Sequence, residues 1–279
     1  MADTDRDWEH FGHTDPYWAV VTKERFHREN LDDRALAEFY ASGEQYVAWA
    51  LETIRTHLDA GFRPARALDF GCGVGRMAIP LARKCESVVG VDVSESMLRE
   101  ACARADEQQL ANVSWVRGDD ELSGVAGRFD LINSYIVLQH IPCDRGQRIV
   151  KRLVELLNDG GVGVIHLTYS RASLGADPFP AWPASAPMYS AAPFRELRFC
   201  LSVLRRAIPR RVRYLLRKIG RPVEPEMQMN PYTLNPLLHI MQFSGVRRFH
   251  VEFTDHTGQY GVILFFRKAH DDTYCALGA

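Results

Sequence analysis

The sequence has no uninterrupted apolar run near the roughly 18 residues a membrane-spanning helix needs, so no spanning helix is expected. It lacks paired cysteines. Cys72, Cys85, Cys102, Cys143, Cys200 and Cys275 are scattered, with no C-x-x-C and no histidine pair at ligand spacing. That pattern excludes a disulfide framework and a sequence-encoded zinc knuckle, leaving reduced thiols and no expected metal. The first residues, Met-Ala-Asp-Thr-Asp-Arg-Asp, are acidic and polar, unlike a secretory leader or an Arg-rich transit peptide, and a cytoplasmic location is expected. Neither sign of charge dominates: 34 Lys and Arg face 35 Asp and Glu, which argues against a dedicated nucleic-acid binder. Internal repeats and low-complexity tracts are missing too.

What is present is a change of texture along 279 residues. Residues 1–64 read as helical, with Leu51, Ile54 and Leu58 at helical spacing before Gly61-Phe-Arg-Pro. Five short apolar runs follow: Ala67–Phe70, Ser87–Val93, Val113–Val116, Phe129–Asn133 and Val162–Leu167. Helical patterns separate them at Met77–Lys84, Ser96–Leu110 and Gln147–Asn158, and Gly160-Gly161 is expected to stop the last helix. Strands alternating with helices predict βαβ units and a parallel sheet. Two more β runs, Phe249–Thr254 and Gly261–Phe266, read as an antiparallel hairpin at a sheet edge. The expected class is α/β, a Rossmann-like sheet of seven strands with its last strand antiparallel, a helical N-terminal cap and a helical insertion before the hairpin.

Four motifs fall at the C-terminal ends of the predicted strands, where open α/β sheets bind ligands. The first is Asp69-Phe-Gly71-Cys-Gly73-Val-Gly75-Arg76. Its glycines allow a sharp turn and close backbone approach. Arg76 stands where a dinucleotide fingerprint needs glycine, and Asp69 would repel a pyrophosphate; no Walker lysine follows. An adenosine carrying a cationic group suits this loop better than a diphosphate. The second motif is Val91-Asp92-Val93-Ser-Glu-Ser-Met97, whose Asp92 suits a ribose diol. The third is Gly118-Asp119-Asp120, where a carboxylate can accept from an adenine amino group. The fourth is Asn133-Ser134-Tyr135-Ile-Val-Leu-Gln-His140-Ile-Pro.

In this order and spacing the four motifs resemble the class I S-adenosylmethionine-dependent methyltransferases, over about residues 65–170 and again at the closing hairpin. The resemblance implies S-adenosylmethionine as cofactor, leaving as S-adenosylhomocysteine. It implies Gly71, Gly73 and Gly75 at the methionine part, with Arg76 near its carboxylate. Asp92, flanked by Val93 and Met97, would hold the ribose hydroxyls, Asp119 with Asp120 would meet the adenine, and Ser134 would lie beside the sulfonium. The stretch Asp15-Pro-Tyr17-Trp18-Ala-Val-Val-Thr, with Phe39-Tyr-Ala-Ser-Gly43, is similar to bacterial small-molecule and sugar methyltransferases. There Tyr17 and Trp18 would close the cofactor pocket as a lid, or else be ordinary core aromatics.

The chain is expected to divide into a cap (1–64), a cofactor-binding core (65–170), a substrate-side insertion (171–246), and a hairpin with tail (247–279). The expected reaction is methyl transfer to a small molecule, first of all a hydroxyl of a sugar or glycosylated metabolite. An N- or C-methyltransferase and a catalytically silent cofactor-binding protein are the alternatives. The absence of a D/N-P-P-Y/F motif argues against amide or adenine nitrogen as acceptor. His140, just past the fourth strand, is either the base that takes the hydroxyl proton or a residue that orders the loop. His256, on the hairpin turn, is a second candidate, and His166 reads as a satisfied core or pocket-wall residue.

In the insertion, Asp177–Ala184 reads as a proline-rich lid, and Gln228, Asn230 and Tyr232, with Tyr135, offer hydrogen bonds to substrate hydroxyls. Arg195–Arg221 carries ten basic residues against one acidic, so the near-neutral total conceals a −10 remainder. This basic amphipathic pair of helices admits an anionic substrate, a peripheral membrane surface or a partner subunit as in a homo-oligomer. A solvated face is the favoured reading.

Overall fold

The structure, a computed structural model, describes residues 3–171 and 225–269. The proline-rich stretch 177–184 and the basic stretch 195–221 lie outside them.

The seven runs of apolar residues form one sheet: β1 (Arg66–Phe70), β2 (Ser87–Asp92), β3 (Val113–Arg117), β4 (Phe129–Ser134), β5 (Leu157–Arg171), β6 (Val246–Asp255) and β7 (Gln259–Lys268). Their spatial order is β3-β2-β1-β4-β5-β7-β6. The first five strands pair in parallel, and β7 lies antiparallel between β5 and β6. The hairpin is placed as expected, with β6 at the edge.

Strand alternation sends successive side chains to opposite faces, and two apolar clusters follow from it. Leu68, Phe70, Val89 and Val91 point to one side, where they meet Ile149, Val150 and Leu153 of α6 (Cys143–Glu155) and Leu237 and Met241 of α7 (Leu234–Phe243). Ala67, Val88 and Val164 point to the other side, against Val47, Leu51 and Ile54 of α3 (Asp33–His57) and Ala78 and Leu81 of α4 (Ala78–Ala82). Both faces being covered explains why the parallel strands read as continuous apolar runs. Asp32 caps α3, its carboxylate accepting from the Ala35 amide at 2.7 Å.

The N-terminal residues form α1 (Asp3–Thr14) and α2 (Pro16–Val20), which belong to the same compact unit as the sheet. α1 is fastened to the start of α5 (Glu95–Glu107): the Glu9 carboxylate accepts from the Ser94 and Ser96 hydroxyls, each at 2.7 Å. Burial of Glu9 opposes its ionisation, but these bonds win and hold its pKa below the usual value.

One local expectation fails. Gly160-Gly161 does not stop a helix, because α6 ends at Glu155 and the two glycines lie within the first part of β5. Leu157 pairs with Phe129, and the register then slips so that Val162 pairs with Leu131. Gly160 takes φ +77° within that slip. Pairing to β4, a non-local interaction, ends the helix earlier than a local stop signal would.

Candidate active site

β1 has β2 on one side and β4 on the other, so the connections leave it in opposite directions, and a crevice opens above the carboxyl ends. A cleft of about 850 Å3, counting the part open to solvent, occupies that place. Its floor comes from all four motif loops: Gly71, Gly73 and Arg76 after β1, Asp92 and Val93 after β2, Asp119 and Asp120 after β3, and Tyr135 and His140 after β4. Met97 of α5 also lines it.

The β1 loop is folded back over β2, with the amides of Gly71 and Cys72 donating to the Val91 carbonyl at 2.7 and 3.0 Å. Gly71 and Gly73 need positive φ, +73° and +53°. A Cβ on Gly71 would lie 2.3 Å from a Val137 methyl, so glycine keeps the loop thin between sheet and cleft.

Asp92 stands at the end of β2 with both oxygens engaged. Oδ2 accepts from the Gly73 amide at 2.8 Å and Oδ1 from the Ser94 amide at 2.9 Å. Burial raises its pKa, and those two amides oppose the rise. Each oxygen retains a lone pair towards the cleft.

Asp69 sits beneath the loop, buried, and does not line the cleft. Its Oδ1 accepts from Asn133 Nδ2 at 2.7 Å, while Oδ2 has no partner among the described residues. Burial pushes its pKa up to about 7. Arg76, largely buried, donates to Ser42 Oγ at 3.3 Å, and its guanidinium stands 5.9 Å from the Tyr135 ring centre.

Asp119 lines the cleft but is exposed, and its carboxylate accepts from both the amide and the hydroxyl of Ser123, which lowers its pKa. Asp120 pairs with Arg145 of α6, and Arg145 also reaches Asp5 of α1 at 2.7 Å. With Thr4, Asp5 and Trp8 lining the cleft, α1 forms a roof over it.

His140 has its Nδ1 2.7 Å from the Gln228 carbonyl, which can only accept, so Nδ1 carries the proton, and the Nε2 lone pair accepts from Gln139 Nε2 at 3.3 Å. The ring packs edge-on to Trp8, centroids 4.9 Å apart. Burial lowers its pKa to about 4, against the pull of the Gln228 carbonyl.

Several residues singled out from sequence lie elsewhere. Tyr17 is buried among Phe39 and Tyr40 and donates to Glu100 at 2.6 Å; Trp18 stacks on His27. Neither lines the cleft, and Ala19 and Val20 of the same helix region do. Ser134 is fully buried beneath the cleft, and Gly75 lies below its lining. Gln228 offers its carbonyl to His140, Asn230 donates to the Gln139 carbonyl, and Tyr232 is buried with its hydroxyl donating to the Ile141 carbonyl at 2.9 Å. These three brace the turn that carries His140 and do not line the cleft. His256 and His166 face each other at 5.2 Å beside Tyr135, outside the cleft lining. Trp8, Asp5 and Arg145 are among the cleft residues that sequence reading missed; no motif surrounds them.

The buried groups set a pH dependence. Burial holds His140 near 4 and His166 near 3, so between about pH 4 and 6.5 the unfolded chain binds two protons that the folded chain refuses. Asp69 works the other way, staying protonated when folded up to about pH 7 while the unfolded carboxyl ionises near 4. Two histidines against one carboxyl leave a net excess of about one proton on the unfolded chain. Stability should therefore rise by about 1.4 kcal/mol per pH unit near pH 5, the slope fading towards pH 6.5 as the unfolded histidines lose their protons. His256, also depressed by burial, adds to this rise, and the raised Asp92 subtracts from it. Urea unfolding between pH 4.5 and 6.5 measures the slope; a falling profile contradicts the burial described.

Comparison with known proteins agrees with this geometry. Residues 67–161 match the family model described as "Methyltransferase domain". Over 95 residues the chain is 40% identical to a ubiquinone biosynthesis O-methyltransferase of Coxiella burnetii, covering 34% of this chain and 39% of that protein. Over 113 residues it is 33% identical to a magnesium-protoporphyrin O-methyltransferase of Synechocystis, covering 40% and 46%. The matched stretch thus spans less than half the length of these curated relatives. Among solved structures, the magnesium protoporphyrin IX methyltransferase of Synechocystis superposes with a TM-score of 0.59 at 18% identity, over 96% of this chain and all of that one. The N-methyltransferase NodS of Bradyrhizobium japonicum gives 0.55 at 15%, over 96% and 100%. The chain has the fold of the class I S-adenosylmethionine-dependent methyltransferases.

Proposed function

We propose that the chain is an S-adenosylmethionine-dependent methyltransferase that transfers a methyl group to an oxygen of a small molecule. The observation that carries this reading is the pairing of Asp92 with the glycine loop at the β1–β2 edge, opposite His140 across one cleft.

The residues fit the cofactor. Asp92 presents free lone pairs for two ribose hydroxyls. Asp69, buried beneath the loop with an unpartnered Oδ2, would place a carboxyl held near 7 below Gly71, where a cofactor ammonium in the cleft above would favour its ionised form. Arg76 supplies the complementary cation for a carboxylate. Val93, Met97 and the Asp119–Asp120 turn would enclose the adenine, and α1 with Trp8 would keep water out, the role first assigned to Tyr17 and Trp18. When bound, the cofactor supplies a sulfonium methyl group for in-line displacement.

His140 is the proposed base. Its proton on Nδ1 is committed to the Gln228 carbonyl, so Nε2 is the atom that receives the hydroxyl proton as the oxygen–methyl bond forms, exchanging its 3.3 Å bond from the Gln139 amide for the substrate hydroxyl. A pKa near 4 keeps the ring neutral at pH 7, and a weak base suffices because the hydroxyl grows acidic as it attacks. Among acceptors, the sugar reading rested on the resemblance and on Gln228, Asn230 and Tyr232; within the chain the Tyr232 hydroxyl and the Asn230 amide nitrogen are hydrogen-bonded, and Gln228 meets His140 through its backbone carbonyl. Tyr135, His140 and Trp8 present rings to the cleft instead, which favours a hydroxyl on a planar ring.

Incubation with labelled S-adenosylmethionine and matched panels of phenols and sugars tests the assignment. Transfer to phenolic oxygens is expected; transfer to sugars alone would restore the carbohydrate reading, and transfer to amines would displace oxygen as acceptor. The roof has its own test. Arg145→Ala leaves Asp5 and Asp120 facing each other without their shared cation, so α1 should open more often. Hydrogen exchange over residues 3–14 is expected to speed up by about tenfold, and S-adenosylhomocysteine to dissociate faster; unchanged exchange would remove this pairing as the latch.

A further inference from the structure

His57, His250 and Glu252 meet on a part of the surface that the cleft does not reach. Nothing in their spacing announces it, since His57 ends α3 and the others lie far along the chain in β6. Within β6, residues two apart share a face, which puts His250 and Glu252 side by side. His250 stands opposite Phe265 in the ladder, and directly opposed residues share a face as well. Phe265 belongs to the cluster closed by Val47, Leu51 and Ile54 of α3. The pair therefore faces α3, and the last residue of that helix completes the group.

The geometry is close. The two imidazole rings lie 3.7 Å apart between centroids and 6° from parallel. His250 Nε2 is 2.7 Å from Glu252 Oε1. A nitrogen of each ring and a carboxylate oxygen all lie within 4.8 Å of one another. His57 is exposed and the other two are half-buried, so an ion can reach them directly from solvent.

We propose that His57, His250 and Glu252 form a surface site for a divalent transition-metal ion, zinc being the ion their donor set fits best. Two imidazoles and one carboxylate are a set that zinc accepts at about 2.0–2.2 Å, with water in the fourth position. Magnesium and calcium prefer oxygen alone. Two nitrogens on a tetrahedral ion at that range stand about 3.3 Å apart with their in-plane lone pairs converging, so the exposed His57 ring must swing out of its parallel stack on His250 to close the site. The C-terminal end of α3 adds the negative pole of its dipole. A bound ion would tie α3 to β6, one of the two edge strands, and so staple that sheet edge to the helix facing it.

The test uses the full chain without a polyhistidine tag, titrated calorimetrically with zinc chloride and melted with and without it. The wild-type chain is expected to bind zinc and to melt at a higher temperature in its presence. His57→Ala, at an exposed helix end, should weaken binding at least about tenfold and abolish the melting shift. His250→Ala should do the same. S-adenosylhomocysteine affinity should be unchanged in both variants, which separates this site from the cleft. Absence of zinc binding would overturn the proposal, as would equal binding by both variants and the wild type. A magnesium-induced shift as large as that of zinc would overturn the assignment of the metal class.

Discussion

Asp92→Asn is expected to raise the dissociation constant for S-adenosylhomocysteine by about 100-fold, equivalent to about 2.7 kcal/mol. Two effects add. A ribose diol held by a carboxylate gains charge-assisted hydrogen bonds, each worth about 1.5–3 kcal/mol, and the amide cannot match them. The amide also cannot keep both present partners, because Asp92 accepts from the Gly73 amide with one oxygen and from Ser94 with the other. Asn would turn an NH2 group towards one of these N–H groups. The glycine loop would then risk its bond from Gly73 to β2, leaving only the Gly71 and Cys72 amides on Val91, at the place where φ is positive and the backbone must approach a ligand. The measurement is calorimetric titration of the variant, with circular dichroism to show that the fold persists. Unchanged affinity in a folded variant would remove Asp92 from the cofactor site.

His140→Ala is expected to lower kcat by about 10²–10⁴-fold with cofactor affinity preserved, the span associated with losing a general base. A residue that only orders the loop gives a different signature. Gln228 and Asn230 brace the same turn from the other side, through bonds to the His140 ring and to the Gln139 carbonyl. Loss of loop order would therefore raise KM and weaken cofactor binding alongside kcat. His140→Gln separates the two: its side chain can still donate to the Gln228 carbonyl but offers no imine nitrogen. Recovery of turnover in that variant would make His140 a positioning residue.

The sheet and the four motif loops were legible because they are written in local chemistry. Buried parallel strands need unbroken apolar runs, and a loop that must turn tightly and approach a ligand needs glycine at Gly71 and Gly73 with an acid at the strand end beside it. The roof was not legible. Trp8 lies on a polar N-terminal helix whose attachment depends on Glu9 meeting Ser94 and Ser96, a pairing across more than eighty residues. Tyr17 and Trp18 carry the aromatic signal, yet the turn of α2 sends them to Phe39 and His27 and leaves Ala19 and Val20 at the cleft.

The insertion shows the same difficulty from the polar side. Tyr232 reads as a hydroxyl donor for a substrate, but it packs into the core against Gly146, where a Cβ would stand 1.9 Å from the phenol oxygen. Only tertiary packing reveals that such a residue fills a space kept open by a glycine. The glycines at 160 and 161 mislead for a related reason, since a strand register, and not a helix end, uses them.

The most direct test of the cofactor site is calorimetric titration of the unmodified chain with S-adenosylhomocysteine. The cleft described predicts one molecule bound per chain, with saturation at micromolar ligand and heat that vanishes in Asp92→Asn. No binding at millimolar ligand would contradict it.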